Sequence, residues 1–144
     1  MDYSIRQMTA YDYDEVYRLW DQTDGLSLEE GDTREAITLY LNRNQGLCFV
    51  AVTENRMIGT VLCGHEGRRG ILRHLVVDPA FRRMGIARSL VAECLAALAR
   101  EGITMCNTFV LDSNIEARRF WEHMGWCVLE DNYRTMQTPT TSRE

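Results

Sequence analysis

The chain predicts a mixed α/β domain of α+β character, with six or seven short strands and four helices. Short β-rich runs alternate with stretches whose apolar residues recur at helical spacing. Its 144 residues and 45% hydrophobic content suit one compact domain with a core of ordinary size. One apolar strand also runs through a proline into a turn rich in arginine and glycine, followed at once by a long helix.

Residues Tyr3 to Met8 form the first expected strand. Thr9 then opens a helix, with Asp12 as its capping partner and Val16, Leu19 and Trp20 as its apolar stripe. Residues 21–32 contain Gly25, Gly31 and several acids, which marks a loop. Asp32 with Glu35 is expected to cap a second helix, whose stripe is Ala36, Ile37, Tyr40 and Leu41. The runs Leu47 to Thr53 and Arg56 to Cys63 are joined by Glu54 and Asn55, a hairpin signal. Gly70 to Val77 is the next strand, and Gly85 opens a long helix with Leu90, Val91, Cys94, Leu95 and Leu98 on one face. Ile103 to Leu111 is a further strand. Ser113 with Glu116 caps a helix carrying Ala117, Phe120, Trp121 and Met124, which Gly125 ends. Trp126 to Glu130 and Tyr133 to Met136 are expected to complete the sheet, and the polar residues 135–144 to form a flexible tail. Residues 1–144 are thus expected to be one domain.

Composition excludes several function classes. All 16 basic residues are arginine, so a lysine Schiff base and a P-loop lysine are absent. The net charge of −5 argues against a nucleic-acid partner, and no apolar stretch is long enough to span a membrane. The five cysteines, Cys48, Cys63, Cys94, Cys106 and Cys127, form no CxxC pair and sit in apolar runs. Buried free thiols in a reducing cytoplasm are expected, with no metal, since the histidines show no ligand spacing with them. The polar start of the chain carries no signal-peptide pattern.

Charge is unevenly spread. Residues 67–88 hold six arginines and one acid, a segment charge of +5, which leaves −10 for the rest. Within that segment the sequence His-Leu-Val-Val-Asp-Pro-Ala-Phe-Arg-Arg-Met-Gly-Ile-Ala-Arg (residues 74–88) has a physical logic. Pro79 cannot donate to a sheet ladder, so pairing loosens there. Gly85 permits a conformation or close approach that a side chain would block, and Ala87 is small. The free N–H groups of the first helical turn then converge on one point, which the helix dipole makes attractive to an anion. Arg82, Arg83 and Arg88 add forks suited to phosphate. A compact anionic ligand or an arginine-rich solvated face both fit this pattern.

The segment resembles motif A of the GCN5-related N-acetyltransferase (GNAT) superfamily: an arginine, two residues, a glycine, one residue, then a small residue, here Arg82, Gly85 and Ala87, preceded by Leu75, Val77 and Pro79. Asn114, Ala117, Phe120, Trp121, Gly125 and Trp126 are similar to the superfamily's motif B. The resemblance spans the chain. It implies a mostly antiparallel sheet split between two central strands, Gly70–Val77 and Ile103–Leu111, with acetyl-CoA in the gap. It further implies that backbone N–H groups of Arg82, Arg83, Met84, Gly85, Ile86, Ala87 and Arg88 hold the pyrophosphate. Leu75, Val76 and Val77 would pair with the pantetheine arm, an N–H near Val77 would polarise the acetyl carbonyl, and Asn114 and Trp121 would border the cofactor. Asn114 is equally explained as a helix cap.

The implied activity is transfer of acetyl from acetyl-CoA to a primary amine of a small molecule or of a peptide or protein N-terminus. Two positions depart from the family. The residue after Phe120, often a tyrosine that protonates the leaving thiolate, is Trp121, a poor proton donor; Tyr133 is a substitute acid. The start of the central strand, where histone-type members carry a glutamate, is apolar around Ile71, which leaves Glu66, His65 or a water chain as base. Asp24, Glu29, Glu30 and Asp32 make an acidic loop that would favour a cationic acceptor, and exposed edge strands in this fold can pair two copies into a homodimer. A non-catalytic acyl-CoA-binding or sensor protein of the same fold is the alternative that Trp121 motivates.

Overall fold

The computed structural model describes residues 2–130 and 133–141. It comprises two units, Met1–Phe109 and Val110–Glu144, taken here in turn. The first contains β1 (Ser4–Gln7), α1 (Tyr13–Asp21), α2 (Arg34–Arg43), β2 (Phe49–Thr53), β3 (Arg56–His65), β4 (Gly70–Val77), α3 (Ile86–Arg100) and β5 (Cys106–Thr108). The strands lie in sequence order in one sheet; β1 to β4 are antiparallel, and β5 runs parallel to β4.

Turn chemistry sets the antiparallel part. Glu54 and Asn55 both take positive φ, 45° and 63°, as a two-residue hairpin of the favoured twist requires. β3 is buried almost from end to end because it is covered on both faces. A Cβ on Gly59 would lie 3.2 Å from Leu90 of α3, whereas one on Gly64 would lie 2.6 Å from the Tyr40 hydroxyl of α2. The two glycines point to opposite faces, so α3 covers one side of the sheet while α2 covers the other. The α1 and α2 side is filled by Val16, Leu19, Trp20, Ile37, Val50, Met57, Leu62 and Val76. On the α3 face Leu90, Val91, Cys94 and Leu98 are buried as the helical spacing predicts, but Ala97 takes the place expected of Leu95, which is exposed.

Capping differs in detail from the sequence expectation. The Thr9 N–H donates to Asp12 Oδ2 at 2.8 Å, but this closes a 3-10 turn that precedes α1. The cap of α2 is Thr33, whose Oγ1 accepts the Ala36 N–H at 3.1 Å; Asp32 is occupied elsewhere. Just past α3, Gly102 closes the helix with φ of 82°. The Gly102 and Ile103 N–H groups donate back to Ala99 and Leu98 at 3.0 Å each. That cap consumes the start of the strand expected from Ile103 and helps reduce β5 to three residues.

The second unit holds α4 (Ile115–His123). Its cap is Asn114, not Ser113: Asn114 Oδ1 accepts the Ala117 N–H at 3.1 Å. At its other end Gly125 takes φ of 95°. The Gly125 and Trp126 N–H groups return to Glu122 and Trp121 at 2.9 and 3.0 Å. Residues 126–130 and 133–136 form no strand, so among the described residues the sheet has five strands rather than six or seven. β-propensity alone does not make a strand without a partner to pair with. Residues 142–144 of the expected tail lie outside the described residues, as do residues 131 and 132 between the two expected strands.

Candidate functional site

The sheet opens between the two strands that the family resemblance implied. β4 and β5 pair only from Gly70 with Cys106 to Leu72 with Thr108. Beyond Leu72, residues 73–77 have no strand partner on that side among the described residues. A β-bulge begins there: two residues, His74 and Leu75, face one on β3, and His74 has φ of 52°. The bulge is anchored from below. Thr60 Oγ1 donates to the His74 carbonyl at 3.0 Å and accepts from Trp20 Nε1 at 3.0 Å. His74 Nε2 meets Asp32 Oδ1 at 2.7 Å, and its ring stands edge-on to Trp20, centroids 4.7 Å apart. Asp32 Oδ2 accepts the Glu29 N–H at 3.0 Å. The strained backbone of β4 is thus held by a network with few unpaired groups.

β4 ends at Asp78, which accepts from the Ala80 N–H and from Arg56 Nη2 at 2.9 and 2.8 Å and fixes a 3-10 turn over Pro79–Phe81. Arg83 and Gly85 then both take left-handed backbone, φ of 67° and 78°. Space around a Gly85 Cβ is open, so glycine is required here by backbone conformation and not by crowding. Ser89 is the first residue of α3 to donate into the helix, to the Gly85 carbonyl at 3.0 Å. The N–H groups of residues 83–88 make no hydrogen bond among the described residues. Arg82, Arg83 and Arg88 have no carboxylate within ion-pair distance among them either; all three are exposed and lie in or next to the run of free donors at the start of α3. This is the donor set that an extended diphosphate needs.

On the α2 side a cavity of about 690 Å³ adjoins the paired end of β4 and β5. Its walls include Leu39, Tyr40, Ile71 and Phe109, with Asn107 of β5. α2 turns a single stripe, Ala36, Leu39, Tyr40 and Arg43, toward it. Glu66 stands at its edge, exposed, with Arg68 Nε and Nη2 on its oxygens at 3.1 and 3.0 Å. The hydrogen bond from Arg68 holds the Glu66 carboxyl below the usual carboxylate range, which makes it a weaker base. His65 also borders the cavity, but Nε2 meets Glu101 at 2.8 Å and Nδ1 accepts the Gly67 N–H at 3.0 Å. Of the acidic loop, Gly31 alone reaches the cavity, and the Asp32 carboxylate points to His74.

In the second unit Asn114 spends its Oδ1 on the α4 cap, and Trp121 packs edge-on against Phe120 and Trp126. Tyr133 is exposed. Three of the thiols are held in the protonated, unreactive form. Burial pushes Cys48 and Cys106 up to about 12, and Cys94 is raised as well, by the neighbouring Cys63 thiol and by burial. Cys127 departs from the expected burial and is exposed. Among the described residues no group of three or more His, Cys, Asp or Glu is placed to hold a metal ion, and no helix is long and apolar enough to cross a membrane.

Sequence reasoning missed the His74–Asp32–Thr60–Trp20 network and the second stripe of α2. The stripe was present as i, i+3, i+4, i+7 spacing from Ala36 to Arg43; the network joins residues up to 54 positions apart and leaves no local signal.

Residues 13–126 match the model of the acetyltransferase (GNAT) family. The chain belongs to that family. The PaiA N-acetyltransferase of Thermoplasma acidophilum, solved in complex with coenzyme A, superposes with a TM-score of 0.81 at 19% identity, covering 92% of this chain and 94% of that one. Ard1 of Thermoplasma volcanium gives 0.79 at 20% identity, with 90% and 85% covered. The diaminobutyrate acetyltransferase of Paenibacillus lautus, solved with L-2,4-diaminobutyric acid and coenzyme A, gives 0.73 at 23% identity, with 85% and 74% covered. GNAT enzymes use acetyl-CoA, and the strand gap and free N–H cradle of this chain fit that donor.

Proposed function

We propose that this chain is an acetyl-CoA-dependent N-acetyltransferase acting on a primary amine of a small molecule or of a peptide or protein N-terminus. The observation that carries the reading is a run of N–H groups at residues 83–88 that is unbonded among the described residues, and holds or adjoins three arginines with no ion-pair partner among them, at the end of a strand whose neighbour has diverged. The pyrophosphate sits on Arg82 through Arg88, and the pantetheine arm runs along the unpaired edge of Leu75, Val76 and Val77. An N–H near Val77 polarises the acetyl carbonyl. By the family resemblance, Asn114 and Trp121 are the further residues assigned to the donor.

The acceptor enters from the α2 cavity as the neutral amine. Its nitrogen attacks the thioester carbon; the C–N bond forms, the C–S bond breaks, the amine loses a proton and the thiolate takes one up. A thiol pKa of about 8.5 makes the thiolate a tolerable leaving group, so the reaction proceeds without a strong acid at position 121. Glu66, at the cavity edge, receives the amine's proton through water, and Tyr133 is the phenol that replaces the usual acid. Small-molecule amines are favoured by L-2,4-diaminobutyric acid, the substrate bound to the Paenibacillus lautus enzyme, and by a neighbour solved with a CoA–neamine bisubstrate analogue. Buried unpaired thiols suit a reducing compartment such as the cytoplasm.

Thiol release from acetyl-CoA across an amine panel tests this directly. Release that depends on both the amine and the protein supports the enzyme. Acetyl-CoA binding without release for any amine supports the alternative of a non-catalytic acyl-CoA sensor, which Trp121 motivates.

A further inference from the structure

The charge of the α2 cavity points away from a cationic acceptor. Two arginines line it, Arg43 from the last turn of α2 and Arg69 from the β3–β4 connection. Among the described residues neither has a carboxylate within ion-pair distance. The cavity's carboxylate, Glu66, is already engaged by Arg68, and the acids of the 21–32 loop do not line it. Leu39 and Tyr40, on the same α2 stripe as Arg43, join Ile71 and Phe109 in a mostly apolar wall that Asn44 and Asn107 interrupt. Leu39 and Phe109 are 70% and 68% exposed, so apolar surface lies open beside uncompensated positive charge. At about 690 Å³ the cavity falls in the range of about 300–1,000 Å³ typical of small-ligand sites.

We propose that the acceptor is a primary amine that also carries a carboxylate and an apolar side group, with the carboxylate on Arg43 and Arg69 and the apolar group on the Leu39–Phe109 wall. The inference rests on the acetyltransferase reading and adds to it the class of acceptor. A carboxylate gains charge-assisted hydrogen bonds from the guanidinium forks. A diamine would instead bring a second positive charge to two unpaired arginines. The transferred bond is the one already described: the amine nitrogen gains the acetyl carbon, coenzyme A leaves as the thiolate, and the proton lost by nitrogen balances the one taken up by sulfur.

The test compares L-leucine and L-phenylalanine with their primary amides and with putrescine, by initial-rate thiol release, in wild type, Arg43→Gln and Arg69→Gln. Acetyl-CoA affinity is measured calorimetrically in each. The expected result is a kcat/KM for the free acids about tenfold to a hundredfold above the amides, the size of one charged hydrogen-bond partner. Each substitution raises KM for the acids with kcat nearly unchanged, removes most of the preference and leaves acetyl-CoA affinity intact. Amides or putrescine matching the acids, or variants that keep the preference, overturn the inference while the acetyltransferase reading stands. If acetyl-CoA binds but no amine is acetylated, the enzyme reading fails. Binding of N-acetyl-L-leucine to the CoA complex, weakened by Arg69→Gln, then supports the ligand class, and no binding overturns it.

Discussion

Thr60 offers the sharpest perturbation of the site's foundation. It is fully buried, and its hydroxyl is the acceptor for Trp20 Nε1 and the donor to the His74 carbonyl, both at 3.0 Å. Thr60→Val keeps the shape of the side chain but leaves two buried polar groups without partners. Each orphan costs about 1–3 kcal/mol, and part is recovered because valine has no hydroxyl to desolvate, so the net loss is about 2–4 kcal/mol. Thr60→Ser keeps the hydroxyl and removes one methyl, a loss of about 1 kcal/mol. Urea unfolding followed by tryptophan fluorescence measures both. With slopes of about 1–3 kcal/mol per molar, Thr60→Val lowers the midpoint by about 1–2 M and Thr60→Ser by less. The order of the two variants decides the matter. If apolar packing governs the position, valine is neutral and serine is the worse substitution. That ranking would refute the claim that hydrogen bonds through Thr60 hold the bulge.

Three further outcomes follow from specific contacts. Burial alone would raise the Asp12 carboxyl, but the Arg6 and Thr9 hydrogen bonds hold it below the ordinary carboxylate range. A depressed folded pKa stabilises above the unfolded value of about 3.9, and that contribution is lost as pH falls through the folded value; Arg6→Met shifts the onset of acid unfolding to higher pH, measurable by circular dichroism. Gly64→Ala destabilises by about 1–3 kcal/mol in denaturant titration, because its Cβ would lie 2.6 Å from the Tyr40 hydroxyl and 2.9 Å from Asn44. A thiol reagent at neutral pH modifies Cys127 rapidly, Cys106 slowly, and the buried Cys48, Cys63 and Cys94 only on unfolding; fast labelling of Cys48 by mass spectrometry would contradict its burial.

The sequence made the motif-bearing parts legible because their signals are local. Gly70–Val77 reads as a strand from its own residues and forms over the same span. Gly85 marks the start of α3 because only glycine takes its φ without strain, and a second glycine, Gly102, closes that helix. The strand ends were less legible because they depend on partners distant in sequence. β5 stops at Thr108 because β4 bulges away at His74, and the hydrogen bonds that hold the bulge come from α1, β3 and the acidic loop. Asp32 is the clearest case. Its loop is acidic and polar, so it resembled a solvated rim, yet its carboxylate is buried under β4. No local pattern separates a surface acid from one that a distant histidine has claimed.

Donor binding depends first on the N–H cradle at the start of α3. Calorimetric titration of acetyl-CoA into wild type, Gly85→Val and Gly102→Val tests it most directly. The two glycines have nearly equal backbone angles, φ of 78° and 82°, and both have open surroundings, so valine strains each backbone alike. Only Gly85 belongs to the proposed pyrophosphate site. The predicted result is micromolar binding, about −8 kcal/mol, by wild type and Gly102→Val, with Gly85→Val weakened at least about tenfold. Equal affinity in all three proteins, or no heat with wild type, would contradict it.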